Sequence, residues 1–322
     1  MKLGDIYRSG MIGIRNDGSC VELPLTVIRK PSDKKSFSKI RNGKSIVIAS
    51  HYKWVDFSGT LPENCIRFFH SFNNDLSWCK IPQASLSESD MIDKTWCGGV
   101  KAGRERAGVI MVTLDHDSGM RTKGFFMTAA VSEACKNTGY PLTVVEYGRG
   151  GGWSDSLEKV RKFLKSKDVH IIRNKPDNDQ KKMAEFFRSH KLFICPSIYD
   201  ASPKTIAESL CRGTRVMLGE HCIGGKKYIN SNTGSIFKMP TCAEEMWDNF
   251  KNVVDELSES MSSEMKHASN PEQVSYYYHK HWGLEKTSVF LAKEIKENFP
   301  EYRAICYPEF KKHLLKILRL NE

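Results

Sequence analysis

Short apolar runs alternate with amphipathic stretches along most of this chain. The runs are rich in Val, Ile and Leu, as buried parallel strands are. The stretches between them place apolar residues three and four positions apart, which predicts helices that cover a sheet. Strands are predicted at residues 21–28, 45–49, 65–69, 109–114, 142–147, 169–172, 192–195 and 215–218. The alternation of strands and helices predicts an α/β fold with a doubly wound parallel sheet.

One βαβ unit between residues 192 and 218 is especially well marked. The apolar run LFIC at 192–195 predicts a buried strand, and a polar loop follows it. Ser202 is suited to cap the next helix, and Pro203 suits the first helical position, where its missing N–H has no cost. Gly213 ends that helix, and 215–218 is the second strand.

Two carboxylates flank the start of this helix. Asp200 lies in the loop and Glu208 lies within the helix, with seven residues between them. Taken singly, Glu208 could be an ordinary exposed helix residue and Asp200 a turn former. A carboxylate can also accept hydrogen bonds from both hydroxyls of a ribose, which favours binding of a nucleoside.

The order of residues around these carboxylates resembles the signature of the retaining family 4 glycosyltransferases. In that family a strand ending in Pro-Ser leads to an acidic residue, a helical Glu, Cys-Gly, a valine-rich strand and a Gly-Gly loop. The matching residues here are Pro196, Ser197, Asp200, Glu208, Cys211, Gly213, Val216, Gly224 and Gly225. The resemblance covers residues 107 to about 290. It implies the GT-B fold, in which two Rossmann-like domains face a cleft and C-terminal helices cross back.

The resemblance also implies roles for the residues of this unit. Glu208 would bind the nucleoside of a sugar-nucleotide donor, and Asp200 would hold hydroxyls of the donor sugar. The helix N-terminus after Ser202 would offer N–H groups to the diphosphate. The backbone of Gly224 and Gly225 would hold phosphate or sugar. The donor is expected to be a UDP-sugar, such as UDP-glucose, acting as a co-substrate.

Further donor contacts are implied upstream. Arg121 and Lys123 match a basic pair that grips the donor diphosphate, where charge develops as the donor is cleaved. Gly148 begins a glycine run that resembles the family's Gly-x-Gly, and Asn174 falls where the family holds the nucleobase. His70 follows a predicted strand and resembles a histidine near the donor sugar. Taken alone, it is favoured to be a structural histidine.

No metal or other cofactor is expected. The acidic and histidine residues at 115–117 could suggest a metal site, but we interpret them as a polar loop, since GT-B enzymes generally need none. Ten scattered cysteines with no C-x-x-C pair indicate reduced core residues.

The net charge of +11 indicates an anionic partner. Seven basic residues lie between the first and second predicted strands: Arg29, Lys30, Lys34, Lys35, Lys39, Arg41 and Lys44. They form either a solvated loop or a surface for phosphates of a polymeric acceptor. The favoured acceptor is hydroxymethylated pyrimidine in DNA. A lipid or saccharide acceptor at an acidic membrane, a sugar-nucleotide epimerase or phosphorylase, and a non-catalytic nucleic-acid-binding protein stay open.

The predicted domains are 1–106 for the acceptor, 107–285 for the nucleotide sugar, and 286–322 as C-terminal helices packing across both. The boundary rests on the glycine- and charge-rich stretch 96–108. No apolar stretch is long enough to span a membrane, and the first ten residues lack the apolar core of a signal peptide. The expected location is therefore the cytoplasm.

Overall fold

The computed structural model divides into two compact units. One contains Met1–Trp96 together with His279–Glu322, and the other contains Cys97–Tyr278. The residues that the structure describes are 12–17, 19–22, 25–28, 45–49, 65–69, 83–85, 88–90, 92, 94, 98–100, 105–114, 122–147, 155–167, 169, 171–174, 180–198, 200, 203–267 and 270–305.

Strands and helices in these ranges are numbered in chain order. The strands are β1 (Ile12–Arg15), β2 (Cys20–Glu22), β3 (Leu25–Ile28), β4 (Ser45–Ala49), β5 (Cys65–Phe69), β6 (Gln83–Ser85), β7 (Val109–Leu114), β8 (Leu142–Tyr147), β9 (Ile171–Asn174), β10 (Leu192–Cys195), β11 (Arg215–Gly219), β12 (Gly234–Phe237) and β13 (Tyr302–Ile305). The helices are α1 (Met127–Thr138), α2 (Asp155–Ser166), α3 (Gln180–Ser189), α4 (Lys204–Cys211), α5 (Ala243–Asp248), α6 (Phe250–His267), α7 (Pro271–His281) and α8 (Gly283–Asn298).

The described residues of the first unit form two sheets. Strands β3, β4, β5 and β6 pair in parallel and in sequence order. Strand β1 lies between β2 and β13 in a small antiparallel sheet. Helix α8 belongs to the same unit, where the Thr287 hydroxyl donates to the Asp90 carbonyl over 2.5 Å. Strand β13, near the end of the chain, thus pairs with β1 near its start.

Two predictions for the first unit need correction. The single strand expected at 21–28 is two strands that belong to different sheets, β2 and β3. Pro24 lies between them in the sequence and has no N–H to donate to a strand ladder. The C-terminal segment is not wholly helical, because α8 ends at Asn298 and β13 follows. Pro300 explains this end, since the residue before a proline is restricted to extended backbone.

The second unit contains a six-stranded parallel sheet in the order β12-β11-β10-β7-β8-β9. The chain starts at the centre with β7, proceeds through β8 and β9 to one edge, and returns to β10 beside β7 before continuing outwards. The predicted doubly wound parallel sheet is confirmed. The order of the strands reverses between β7 and β10, and open α/β sheets bind ligands outside the carboxyl ends of the strands at such a point.

Burial accounts for the accuracy of the strand predictions in the second unit. Every residue of β10 and of β11 is buried.

Strand β9 starts two residues later than predicted, so Asn174 is its last residue rather than part of the following loop. Helix α4 begins at Lys204, and Pro203 is its N-cap rather than its first helical residue.

Of the described cysteines of this unit, all but one are buried, as the prediction of reduced core residues requires. Cys135, Cys195, Cys211 and Cys222 are buried free thiols, and Cys242 is free and exposed. None of the helices in the described part of the chain combines the length and the apolar character needed to cross a membrane.

Candidate functional site

The candidate site lies where two neighbouring strands end. Strands β7 and β10 are parallel, with Val109 opposite Leu192, so both end at the same edge of the sheet. The segment that contains Lys123 follows β7, and the loop that contains Asp200 follows β10. Both predicted donor-binding segments therefore start at the point where the strand order reverses.

Backbone contacts hold these two segments together. The Ile198 amide donates to the Thr122 carbonyl over 3.2 Å. Gly124 has a φ of +60°, and a Cβ at this position would lie 1.9 Å from the carbonyl oxygen of Pro196. Only glycine allows this backbone conformation together with so close an approach. The Lys-Gly sequence thus brings Lys123 to the loop after β10.

Lys123 and Asp200 form an ion pair and a hydrogen bond. The lysine side chain is 31% exposed and the aspartate side chain 13% exposed. Burial lowers the pKa of Lys123, but the charge and the hydrogen bond of Asp200 outweigh burial and raise this pKa above its ordinary value. Lys123 is therefore a fixed cation at neutral pH, at the carboxyl end of the sheet.

A glycine-containing 3₁₀ turn, Ile223–Tyr228, positions Asp200 from the other side. The Gly224 amide donates to the Asp200 carbonyl over 3.0 Å, and the Cys222 thiol lies 3.8 Å from the same oxygen. The Gly225 amide donates to the Cys222 carbonyl over 3.4 Å. Both glycine amides thus donate within the protein. The Gly224 amide holds the Asp200 loop, and binding of phosphate or sugar by the two glycines stays a prediction.

Close packing explains why the second position of this turn is glycine. A Cβ on Gly225 would lie 2.5 Å from Cδ1 of Ile206 in α4 and 3.0 Å from a methyl group of Leu218 in β11. A side chain there would push the turn away from both elements. Tyr228 at the end of the turn is buried, and its ring centroid lies 6.0 Å from that of Tyr278 in α7.

Glu208 is buried in the middle of α4, with 7% of its surface exposed. Its neighbours from Ile206 to Cys211 are buried as well. The interpretation of Glu208 as an ordinary exposed helix residue is therefore wrong. Glu208 pairs with Lys204, one turn earlier, with Nζ and Oε1 3.3 Å apart. A buried carboxylate is rarely kept without a specific use for its charge, because burying it is costly.

Two thiols adjoin the Lys123–Asp200 pair. A hydrogen bond with Cys222 lowers the pKa of the Cys195 thiol against the effect of burial, and the same contact raises the pKa of Cys222. The Cys195 thiol also contacts the Ser197 hydroxyl over 3.5 Å. These contacts tie the end of β10 to the start of the glycine turn.

The remaining predicted site residues lie outside what the structure describes. These are His70, Arg121, Gly148, Ser202 and the side chain of Asn174; the basic stretch 29–44 and the polar loop 115–117 lie outside it too. Within the described ranges, His, Cys, Asp and Glu side chains form no group of three that could hold a metal ion.

Sequence reasoning missed Lys204. Its signal was its position four residues before Glu208, the spacing at which side chains meet on a helix.

The sequence matches no protein-family model and no curated protein. The structure matches solved structures. For the pneumococcal O-GlcNAc transferase GtfA in complex with UDP and GlcNAc, the TM-score is 0.57 at 13% identity, and the match covers 92% of this chain. The chain spans 58% of the length of GtfA.

Two further matches have similar scores. The lipopolysaccharide outer core galactosyltransferase WaaB matches with a TM-score of 0.55 at 10% identity, over 85% of this chain and 75% of WaaB. The E. coli trehalose-6-phosphate structure bound with UDP-2-fluoro glucose matches with a TM-score of 0.52 at 10% identity, over 84% of this chain and 72% of that one. These similarities show that the chain has the GT-B fold of glycosyltransferases, as the sequence predicted.

Proposed function

We propose that this chain is a glycosyltransferase that moves a sugar from a UDP-sugar to an acceptor hydroxyl with retention of the anomeric configuration. The observation that carries the proposal is the meeting of Lys123 and Asp200 beside α4, at the reversal of strand order in a GT-B fold. Lys123 follows β7, and Asp200 and the buried Glu208 follow β10. These two strands are parallel and end at the same edge of the sheet.

Each group has a task in this reaction. Glu208 would accept hydrogen bonds from the ribose hydroxyls, and Asp200 would hold hydroxyls of the donor sugar. The bond between the sugar and the diphosphate breaks, and the acceptor oxygen joins the sugar on the face that the diphosphate leaves. Charge grows on the diphosphate during this step, and Lys123 is already in place to stabilise it. In the same proposal Arg121 assists Lys123, and His70 lies near the donor sugar.

The choice of UDP has support from the structural neighbours. GtfA was solved with UDP, and the E. coli structure holds UDP-2-fluoro glucose. Residues 107–285 would bind this donor, and residues 1–106 would bind the acceptor. Retention rests on the family signature around Asp200 and Glu208.

Replacing Glu208 by alanine is expected to abolish nucleotide binding without unfolding the protein. A ligand that binds only the folded state at 100 times its Kd adds about 2.7 kcal/mol to the free energy of unfolding. The measurement is the melting temperature of the wild type and the variant with UDP, ADP, GDP and CDP. We expect one diphosphate to raise the melting temperature of the wild type and none to raise that of Glu208→Ala.

The matched control is Glu133→Ala, because Glu133 is also a helical, ion-paired carboxylate, with Lys167 2.9 Å away. This variant should keep the full thermal shift. If the folded wild type shows no shift with any diphosphate, the donor site does not exist and the proposal fails.

For the acceptor we propose hydroxymethylated pyrimidine in DNA. The net charge of +11 and the seven basic residues between 29 and 44 support a polyanionic partner. If those residues contact phosphates, DNA affinity should fall about 10³- to 10⁵-fold between 50 and 200 mM salt, because binding releases counterions. The measurement combines DNA affinity with transfer of label from UDP-[¹⁴C]glucose to duplexes with and without 5-hydroxymethylcytosine.

Replacing the seven basic residues by serine should remove most of this salt dependence while UDP binding is unchanged. Label transfer to lipid vesicles or oligosaccharides but not to hydroxymethylated DNA would refute the DNA acceptor and leave the transferase itself standing.

A further inference from the structure

Lys204 is the first residue of α4 and follows its N-cap, Pro203. Its side chain is 27% exposed, and its Nζ lies 3.3 Å from Oε1 of the buried Glu208. Lys204 thus places a second lysine, besides Lys123, next to one of the two carboxylates of the candidate site.

The local electrostatics of the helix do not favour a lysine at this position. The N-terminus of a helix carries a partial positive charge, so a cation in the first turn is destabilising and an anion stabilising. The first turn of α4 contains no acidic residue to offset Lys204. In this pair the lysine precedes the glutamate by four residues. That order stabilises a helix less than a glutamate four residues before a lysine. Such local conflicts are expected at functional sites.

The electropositive end of α4 is therefore suited to an anion. The N-cap Pro203 makes no side-chain hydrogen bond to the first amides of the helix. Lys204 adds a positive charge to this end of the helix, and its ammonium group is paired with Glu208. The phosphates of a nucleotide are attached to its ribose, so a ribose held by Glu208 would bring phosphate within reach of a lysine one turn earlier.

We propose that Lys204 binds the diphosphate of the donor together with Lys123, and that it exchanges Glu208 for phosphate when the nucleotide binds. This inference rests on the proposed function. Without nucleotide, Lys123 pairs with Asp200 and Lys204 pairs with Glu208. With nucleotide, the carboxylates bind neutral hydroxyls and the lysines neutralise the diphosphate.

The test is the dissociation constant of uridine, UMP and UDP by titration calorimetry. The variants are Lys204→Gln, Lys204→Arg and the control Lys162→Gln. Lys162 belongs to another Lys–Glu pair at a spacing of four, with Glu158 2.9 Å away, and its side chain is 76% exposed. Lys162→Gln thus makes the same change in net charge and breaks a helical ion pair outside the candidate site.

Lys204→Gln is expected to weaken UDP binding roughly 10- to 100-fold, because a charge-assisted hydrogen bond is lost. It should change uridine binding less than about twofold. Lys204→Arg should restore most of the affinity for UDP, and Lys162→Gln should bind all three ligands as the wild type does. Two effects on the stability of Lys204→Gln oppose each other: removal of a cation from the first turn is stabilising, and loss of the ion pair of the buried Glu208 is destabilising. Circular dichroism without nucleotide should therefore show a folded variant, and the binding constants are compared below its unfolding transition.

Equal weakening of uridine and UDP would overturn the inference, since Lys204 would then act only by orienting Glu208. Unchanged UDP binding by Lys204→Gln, with a wild type that binds UDP, would overturn it and leave the proposed function standing. A wild type that binds no nucleoside diphosphate would overturn both.

Discussion

Replacing Lys123 by methionine is expected to lower kcat for sugar transfer about 10²- to 10³-fold, the usual effect of removing one preorganised group that stabilises developing charge. Lys123 is held by Asp200 before any ligand binds, and its pKa is raised by that carboxylate. In the proposed reaction it would therefore be charged and oriented when the diphosphate begins to leave. The interaction grows stronger as charge develops, so the effect should fall on kcat more than on KM.

The measurement is release of UDP from UDP-glucose, with hydroxymethylated DNA and with water as acceptors. The control is Lys167→Met, because the Lys167 side chain is 32% exposed and paired with a carboxylate, much as that of Lys123 is. Lys167 lies between the end of α2 and the start of β9. It is therefore at the amino end of the parallel strands, whereas the candidate site is at their carboxyl ends. A rise in KM alone for Lys123→Met, or an equal loss of kcat in the control, would contradict the role given to Lys123.

Sequence patterns predicted the inner strands of the second unit well because these strands are largely buried. Such strands read as continuous apolar runs, and β7, β8, β10 and β11 were predicted in this way to within a residue. Short edge strands lack this signal. Strand β6, with the sequence Gln-Ala-Ser, and β13, which pairs with β1 from the far end of the chain, were not predicted.

The candidate site was predictable in part. The ordered resemblance to the family 4 signature identified the loop and the helix that contain Asp200 and Glu208, and Lys123 was chosen because it matches the family's basic pair before a helix. The sequence did not show that the Glu208 side chain is buried. It also did not show that Lys204 is the ion-pair partner of Glu208. These properties depend on how α4 packs against the rest of the unit, and short-range patterns carry no information on that.

The role of the glycines was also beyond the sequence. Gly224 and Gly225 match a family loop, but their amides bond within the protein and the turn they form holds Asp200. The need for glycine at 124 arises from the carbonyl of Pro196, far away in sequence. Contacts between distant segments decide such positions, so only the folded chain reveals them.

Replacing Gly124 by alanine is therefore expected to be the most disruptive change at the site that alters no charged group. Two costs combine, since alanine at a φ of +60° is strained and its Cβ would lie 1.9 Å from a backbone oxygen. The strain costs about 1–2 kcal/mol, and displacing the Pro196 backbone adds about 1–3 kcal/mol. The displacement would also separate Lys123 from Asp200, so UDP binding should be lost even below the unfolding transition.

Gly139→Ala is the matched control, because Gly139 has a φ of +74° and a Cβ there would meet nothing within 4 Å. Urea unfolding should show a loss of about 1–2 kcal/mol for this control, which reports the strain alone. A larger loss in Gly124→Ala therefore measures the contact with Pro196. If the two variants lose equal stability and both still bind UDP, the close approach of Gly124 to Pro196 does not position Lys123.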